Sequence, residues 1–347
     1  MNVLSFSHRL LKTNLYVLII VLISIAVGCS PYKNTEKVPV KLSPLTNSDK
    51  SNLVAEINRF ALAKTIRGKV GVKFEDNSFA ESGLSEKYRT ADGQVVVQSP
   101  SKINLRIQVP VVGSDLVQMT SDGEKFRVAV ICCVNEKYKR FVYGTNANDY
   151  QNLRDKAKKA MGGGDQSSAI NVFATLRPQH FTDALLMRPV QTDDDYIYTQ
   201  SEIYADELGT TQKRSPIARV IRGYYLLDEL KKNGDGDYRI TRRFWFDRVG
   251  AIHLAKQQVF DEKGVLETDI AYGVEQKFTQ SGEYSLPAQV LITRPQERYS
   301  VKLTFITPGD VTIGKIYDDA VFLLENKWQL PEVDLDKQII QSSLINQ

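Results

Sequence analysis

Ile103, Leu105, Ile107 and Val109 alternate with Lys102, Asn104, Arg106 and Gln108, so one face of this stretch is apolar and the other polar. The same period of two runs through Val70, Val72 and Phe74, and again through Tyr299, Val301, Leu303 and Phe305. Phe244, Trp245 and Phe246 put two rings on one face and one on the other. The pattern predicts strands at Gly68 to Glu75, Lys87 to Thr90, Val95 to Gln98, Lys102 to Val109, Leu116 to Met119, Phe126 to Val134 and Lys139 to Tyr143. A second set is predicted at Tyr196 to Ile203, Val220 to Leu227, Tyr238 to Asp247, Ala251 to Phe260, Leu266 to Tyr272, Ala288 to Thr293, Tyr299 to Ile306 and Val321 to Leu324. Asp92-Gly93, Asp122-Gly123 and Asn233-Gly234 read as hairpin turns.

Helical spacing is confined to two places. Leu53, Ile57, Phe60 and Ala61 predict a helix ending near Thr65, with Ser48 or Ser51 as its cap. Asp149 to Met161, Ala169 to Leu176 and Gln179 to Leu186 predict three more in the middle, the last following Pro178. Gly162-Gly163-Gly164 stops the first of these; it lacks the Lys-Ser/Thr of a phosphate loop.

At the N-terminus, His8, Arg9 and Lys12 precede an apolar run from Leu15 to Val27, shorter than the ~20 residues of a membrane-spanning helix and suited to a secretion signal. Ala26-Val27-Gly28-Cys29 resembles the lipobox of bacterial lipoproteins. The resemblance implies cleavage before Cys29 and its modification by diacylglycerol and an N-acyl chain. Two or three chains, at ~0.8 kcal/mol per methylene, hold a protein on a membrane firmly. Ser30 is not aspartate, which by the family's sorting rule implies the outer membrane. The expected organisation is a signal peptide over 1–28, a Pro- and Lys-rich flexible tether over 29–49, a folded domain over 50–328 and a C-terminal tail over 329–347.

Hydrophobic content of 42% and charged content of 25% are those of an ordinary globular domain. The formal charge is +4, of which Arg9 and Lys12 supply two, and so small an excess argues against nucleic acid. Besides Cys29 there are only Cys132 and Cys133, adjacent in sequence and read as thiols within a strand.

A long antiparallel meander with few helices can cover one apolar face by curving into an incomplete barrel with helices across its mouth. The fold class is therefore α+β, mainly β. The order of segments resembles the outer-membrane lipoprotein carrier and receptor proteins of the Lol sorting system (LolA/LolB-like). The resemblance is carried by Leu53 to Lys64, Gly68 to Glu75, Gly93 to Val97, Ser99-Pro100-Ser101-Lys102 leading into Ile103 to Val109, and Ser121-Asp122-Gly123-Glu124-Lys125-Phe126. It implies a strongly curved antiparallel half-barrel, its concave face covered by the N-terminal and middle helices and holding acyl chains. Ile103, Leu105, Ile107, Val109, Tyr299, Val301, Leu303 and Phe305 are the candidate groove residues. The chain departs from the carrier in having Ser99 where the carrier has a lid-linked arginine before the proline.

No catalytic constellation emerges. His180 and His253 lack ligand-spaced partners, and no Gly-x-Ser-x-Gly elbow occurs. Asp193-Asp194-Asp195 and Asn233 to Asp237 read as solvated turns rather than calcium loops. The pairs Glu202 with Asp206 and Asp318 with Asp319 read the same way. Pro110-Val111-Val112-Gly113 reads as a packed loop. The expected function is a noncatalytic periplasmic binder of lipid or lipoprotein acyl chains, held at the outer membrane by its own lipid, with no cofactor and no metal. The competing expectation is a cell-envelope scaffold that uses a filled half-barrel to dock other envelope proteins. An envelope hydrolase is a weaker third, because no residues can be nominated for it.

Overall fold

The computed structural model describes residues 39–76, 86–87, 90–108, 115–131, 139–148, 178–209, 219–279 and 283–339. The signal segment, Cys29, Val109, the loop at 110–113, Cys132 and Cys133, and the helices expected at 149–161 and 169–176 lie outside them. In chain order the elements are β1 (Val40–Lys41), α1 (Lys50–Phe60), β2 (Thr65–Asp76), β3 (Glu86–Lys87), β4 (Ala91–Gln98), β5 (Lys102–Gln108), β6 (Asp115–Ser121), β7 (Lys125–Val130) and β8 (Arg140–Thr145). Then come α2 (Pro178–Leu185), β9 (Tyr196–Leu208), β10 (Arg219–Lys232), β11 (Tyr238–Asp247), β12 (His253–Phe260) and β13 (Leu266–Tyr272). The chain finishes with β14 (Glu275–Phe278), β15 (Tyr284–Pro287), β16 (Gln289–Arg294), β17 (Tyr299–Phe305), β18 (Thr312–Ile313) and β19 (Glu332–Asp334).

The chain divides into a large unit, 41–205 with 221–347, and a small one, 1–40 with 206–220. Within the small unit, Arg219 Nε donates to Asp206 Oδ1 at 3.0 Å.

In the large unit the register of the strands gives one open antiparallel sheet, ordered β10-β11-β12-β13-β16-β17-β2-β4-β5-β6-β7-β8, with β19 added parallel to β8. The central pairings keep side-chain parity across strands. Val301 faces Phe74, Leu303 faces Val72, and Val95 faces Leu105. One face therefore collects the apolar positions. Ile103, Leu105, Val70, Leu303 and Phe74 are all buried in one continuous core, while Arg67, Lys69 and Arg106 lie exposed on the opposite face.

The sheet must bend, because α2 packs against β16 and also against β4, β5 and β6. These strands are separated by up to five inter-strand steps, about 24 Å on a flat sheet. An eight-residue helix is only about 12 Å long. An open, curved half-barrel satisfies both. Part of the bend is supplied by register shifts in β10, β11, β12 and β5, at Glu229/Leu230, Trp245/Phe246, Val259/Phe260 and Ile107/Gln108.

Several local expectations change. The cap of α1 is Asp49, whose carboxylate accepts from Asn52 N at 2.9 Å; Ser51 instead donates its hydroxyl to the same carboxylate. The helix stops at Phe60 rather than near Thr65, since Thr65 is already paired with Gln98 in the sheet. Asp92-Gly93 is not a turn but lies inside β4. A Cβ on Gly93 would sit 2.7 Å from the Arg106 carbonyl oxygen, so the residue is glycine because β5 comes close. Val321 to Leu324 is no strand: Asp319–Phe322 is a 3₁₀ turn whose cap, Asp318, accepts from Ala320 N, and Phe322 is fully buried. The hairpin of β14 and β15 is absent from the sequence expectation.

The expected tether is shorter than residue 49. Leu42 N donates to Ile221 O at 2.9 Å and Thr46 N to Arg248 O at 2.8 Å, which adds this stretch to the edge of the sheet. Gly223 has no side chain because Leu45 lies there: a Cβ would meet Leu45 Cδ1 at 3.0 Å. Likewise the expected tail beyond residue 328 is docked in part, since β19 covers the free edge of β8.

Candidate functional site

The described candidate groove residues lie on two strands. Tyr299, Val301, Leu303 and Phe305 come from β17, and Ile103, Leu105 and Ile107 from β5, with β2 and β4 between. All seven are at most 5% exposed. Val109 lies outside the described residues. What covers the seven is protein: Leu53, Ile57 and Phe60 from α1, and Phe181, Ala184 and Leu185 from α2, belong to the same core. The remaining space at this seam is about 20 Å³, bounded by residues such as Phe60, Leu185, Met187, Leu286, Val290 and Phe305. That is scarcely more than one water molecule needs. At this seam the described apolar face is continuous and filled by side chains.

Beyond this apolar packing, α2 is met at each end by a buried arginine. Arg294, on β16, is 3% exposed and chelates Glu297 through Nε and Nη2 at 2.9 and 2.8 Å. Its Nη1 donates to Thr268 Oγ1 at 2.6 Å and lies 3.3 Å from Nδ1 of His180, near the start of α2. Arg242, on β11, performs the matching task at the other end. It donates from Nη1 to the Arg188 carbonyl at 2.9 Å and from Nη2 to the Pro189 carbonyl at 3.2 Å, just past the helix. Its Nε donates to Glu229 Oε1 at 2.8 Å, and the Tyr198 hydroxyl donates to Glu229 Oε2 at 2.7 Å. Asn58 of α1 joins this end by accepting from Val190 N at 3.1 Å.

The electrostatics follow from burial against pairing. Burial raises the Glu229 carboxyl, but Arg242, Tyr198 and Thr241 outweigh it and leave its pKa below the ordinary glutamate range. Burial and then the Glu229 charge both push the Tyr198 hydroxyl up, so it remains a donor. Burial alone would lower the Arg242 and Arg294 guanidinium groups, and Glu229 and Glu297 raise them instead. Glu229, Arg242 and Arg294 therefore stay charged, and the Tyr198 hydroxyl stays protonated, at neutral pH.

These arginines are missed by the sequence reading, yet a signal exists. Arg242 precedes Phe244 and Phe246 at core parity, Glu229 follows Leu227, and Arg294 follows Val290 and Ile292. A charge that continues a buried alternation needs a buried partner. His180 is brought into this cluster, whereas His253 is exposed on its strand. Asp193 to Asp195 and Asn233 to Asp237 form exposed turns, closed by Tyr196 N to Asp193 O and Asn233 N to Asp237 O. Among the described residues no group of three His, Cys, Asp or Glu side chains could hold a metal ion, and no helix is long and apolar enough to cross a membrane.

No protein-family model and no curated protein sequence matches the chain. Among solved structures it is similar to a DUF1329 family protein from Desulfovibrio piger, at 11% identity and a TM-score of 0.42, over 78% of this chain and 95% of that one. It is similar to a LolA superfamily protein from Nitrosomonas europaea at 10% identity and a TM-score of 0.39, over 80% and 99% of the two chains. An outer membrane lipoprotein-sorting protein domain from Vibrio parahaemolyticus matches at 11% identity and a TM-score of 0.37, over 78% and 94%. The half-barrel assigned to this chain stands on the order and register of its own strands.

Proposed function

We propose that this chain is a lipid-anchored envelope protein that takes an acyl chain of a lipid or lipoprotein between its half-barrel and α2, without catalysis. The anchor is Cys29, acylated after removal of the leader, and the membrane is the outer one, facing the periplasm. The observation that carries the reading is the continuous apolar sheet face closed by a short helix that two buried arginines hold at its ends. Uptake requires α2 to lift, because about 20 Å³ holds no hydrocarbon chain.

The exchange is close to balanced. Lifting α2 exposes Phe181, Leu185, Leu186 and Met187, at about 1.5–3 kcal/mol each. A chain of about fifteen methylenes returns ~12 kcal/mol on burial. A near-neutral exchange suits a carrier, which must release what it binds. Protein purified without its leader and with Cys29 replaced, then analysed by mass spectrometry for copurifying lipid, tests the reading. Bound acyl lipid supports it; material that stays empty and fails to take up a fluorescent fatty acid refutes it.

The filled interior favours one second reading, an envelope scaffold that docks other proteins and binds no lipid. The same measurement separates the two.

A further inference from the structure

The polar face of the sheet carries a groove of its own. Residues 307–321 return across β2, β4 and β5, and a groove of about 510 Å³ remains beneath them. The return is clamped in place. Gln98 accepts from Tyr317 N at 2.8 Å and donates to Tyr317 O at 3.3 Å, and Asn104 donates to the Val321 carbonyl at 2.7 Å. The groove is thus built by tertiary contacts on both sides.

Its floor is cationic. The register places Lys69 beside Gln94 and Gln94 beside Arg106, so Lys69 and Arg106 share a row two strands, or about 10 Å, apart. Arg67 lies two residues before Lys69 and so on the same face. All three line the groove, all three are exposed, and among the described residues none of them makes an ion pair or a side-chain hydrogen bond. Their neighbours do: Lys102 pairs with Asp319 at 2.5 Å, and Arg127 with Asp122 at 3.3 Å. Three unpaired cations on adjacent strands repel one another unless an anion sits among them. One acid, Asp310, lines the groove as well, which leaves an excess of two positive charges. Tyr317 forms part of the wall, and its hydroxyl, shielded from water, has no hydrogen-bond partner among the described residues.

We propose that this groove binds a phosphomonoester. Such a group carries about −1.5 to −2 charges at neutral pH and matches the excess. Arg67 and Arg106 offer the planar forks that grip phosphate oxygens two at a time, and Lys69 adds a point charge. The volume falls within the roughly 300–1,000 Å³ of small-molecule sites, so an organic phosphate fits where inorganic phosphate would leave most of the space unused. The site lies on the opposite face of the sheet from the acyl reading and does not depend on it.

The test is calorimetric titration of the full-length protein in neutral detergent with glycerol 3-phosphate, with dihexanoyl phosphatidic acid, and with dihexanoyl phosphatidylcholine, a zwitterionic phosphodiester of zero net charge, as the control. Binding of either phosphomonoester, weakened about tenfold or more by the pair Arg67→Gln and Arg106→Gln, supports the site. Binding of both assigns it to soluble phosphates, and binding of the lipid alone to a headgroup. Lys263→Gln, in an exposed turn, should leave the affinity unchanged. Lack of binding by either phosphomonoester, equal binding of phosphatidylcholine, or an equal loss in Lys263→Gln overturns the proposal. Unfolding curves of the variants confirm that they remain folded.

Discussion

Arg242 and Glu229 form an ion pair across β11 and β10 in which both residues are at most 3% exposed, and the same guanidinium holds the carbonyls of Arg188 and Pro189, a few residues past α2. A buried pair of this kind adds little net stability over apolar residues of the same shape, but loss of one partner leaves an uncompensated charge in the core. The pair ties the segment just past α2 to the sheet.

Glu229→Gln should therefore destabilise the fold by about 3–5 kcal/mol, whereas a joint change of Glu229 and Arg242 to leucine and methionine should cost less than the sum of the two single changes. Urea unfolding of the four proteins measures this, and strict additivity would show the two residues to be uncoupled.

The pH dependence has a definite sign. The Glu229 pKa is lowered in the folded state, so its contribution is complete above the unfolded value of about 4.3 and is lost as the pH falls through the folded value. Stability from this pair should be level between pH 6 and 8 by this argument and should decline below about pH 4. Glu229→Gln should flatten that acid limb; an unchanged limb would assign acid sensitivity to other carboxylates.

Arg294→Met should loosen the start of α2 by removing the contact to His180 and the hold on Glu297. Amide hydrogen exchange over residues 178–187 should quicken relative to β5, which shares the core but not the arginine. Met187→Ala should enlarge the seam and cost about 2–5 kcal/mol. If the seam is where an acyl chain enters, both variants take up a fluorescent fatty acid more readily than the parent; a decrease in both argues for a scaffold.

Gly93→Ala should be destabilising by about 1–3 kcal/mol, because the new methyl group meets the Arg106 carbonyl and can be relieved only by moving β4 or β5. Thermal unfolding would show it, and a neutral result would place Gly93 at a turn after all.

Cys29→Ala should abolish labelling with radioactive palmitate and move the protein from the membrane to the soluble fraction. Label that survives the substitution would remove the anchor from the proposed function.

The strands were legible wherever a two-residue alternation met a dry face. Tyr238–Asp247 and Leu266–Tyr272 have the bounds that the alternation predicts, and Arg242, Phe244 and Phe246 in the one and Thr268 and Ile270 in the other alternate onto the buried face. Errors gathered where a residue answers to something distant in sequence. Gly93 reads as a turn until Arg106 lies against it, and Val321 to Leu324 reads as a strand until Asp318 caps a 3₁₀ turn there. Residues 41–49 read as tether, since nothing local shows that Leu45 fills the place of a missing side chain at Gly223.

By itself the sequence determined which faces of the strands are apolar and where the first helix lies, because each depends on neighbours a few positions apart. Whether the apolar face is empty or filled was decided by the tertiary structure alone, since it depends on how closely α1 and α2 settle on strands a hundred residues away. The arginines that hold α2 and the cationic groove on the opposite face have the same origin. Charges separated by tens of residues become a site only when strand register sets them side by side.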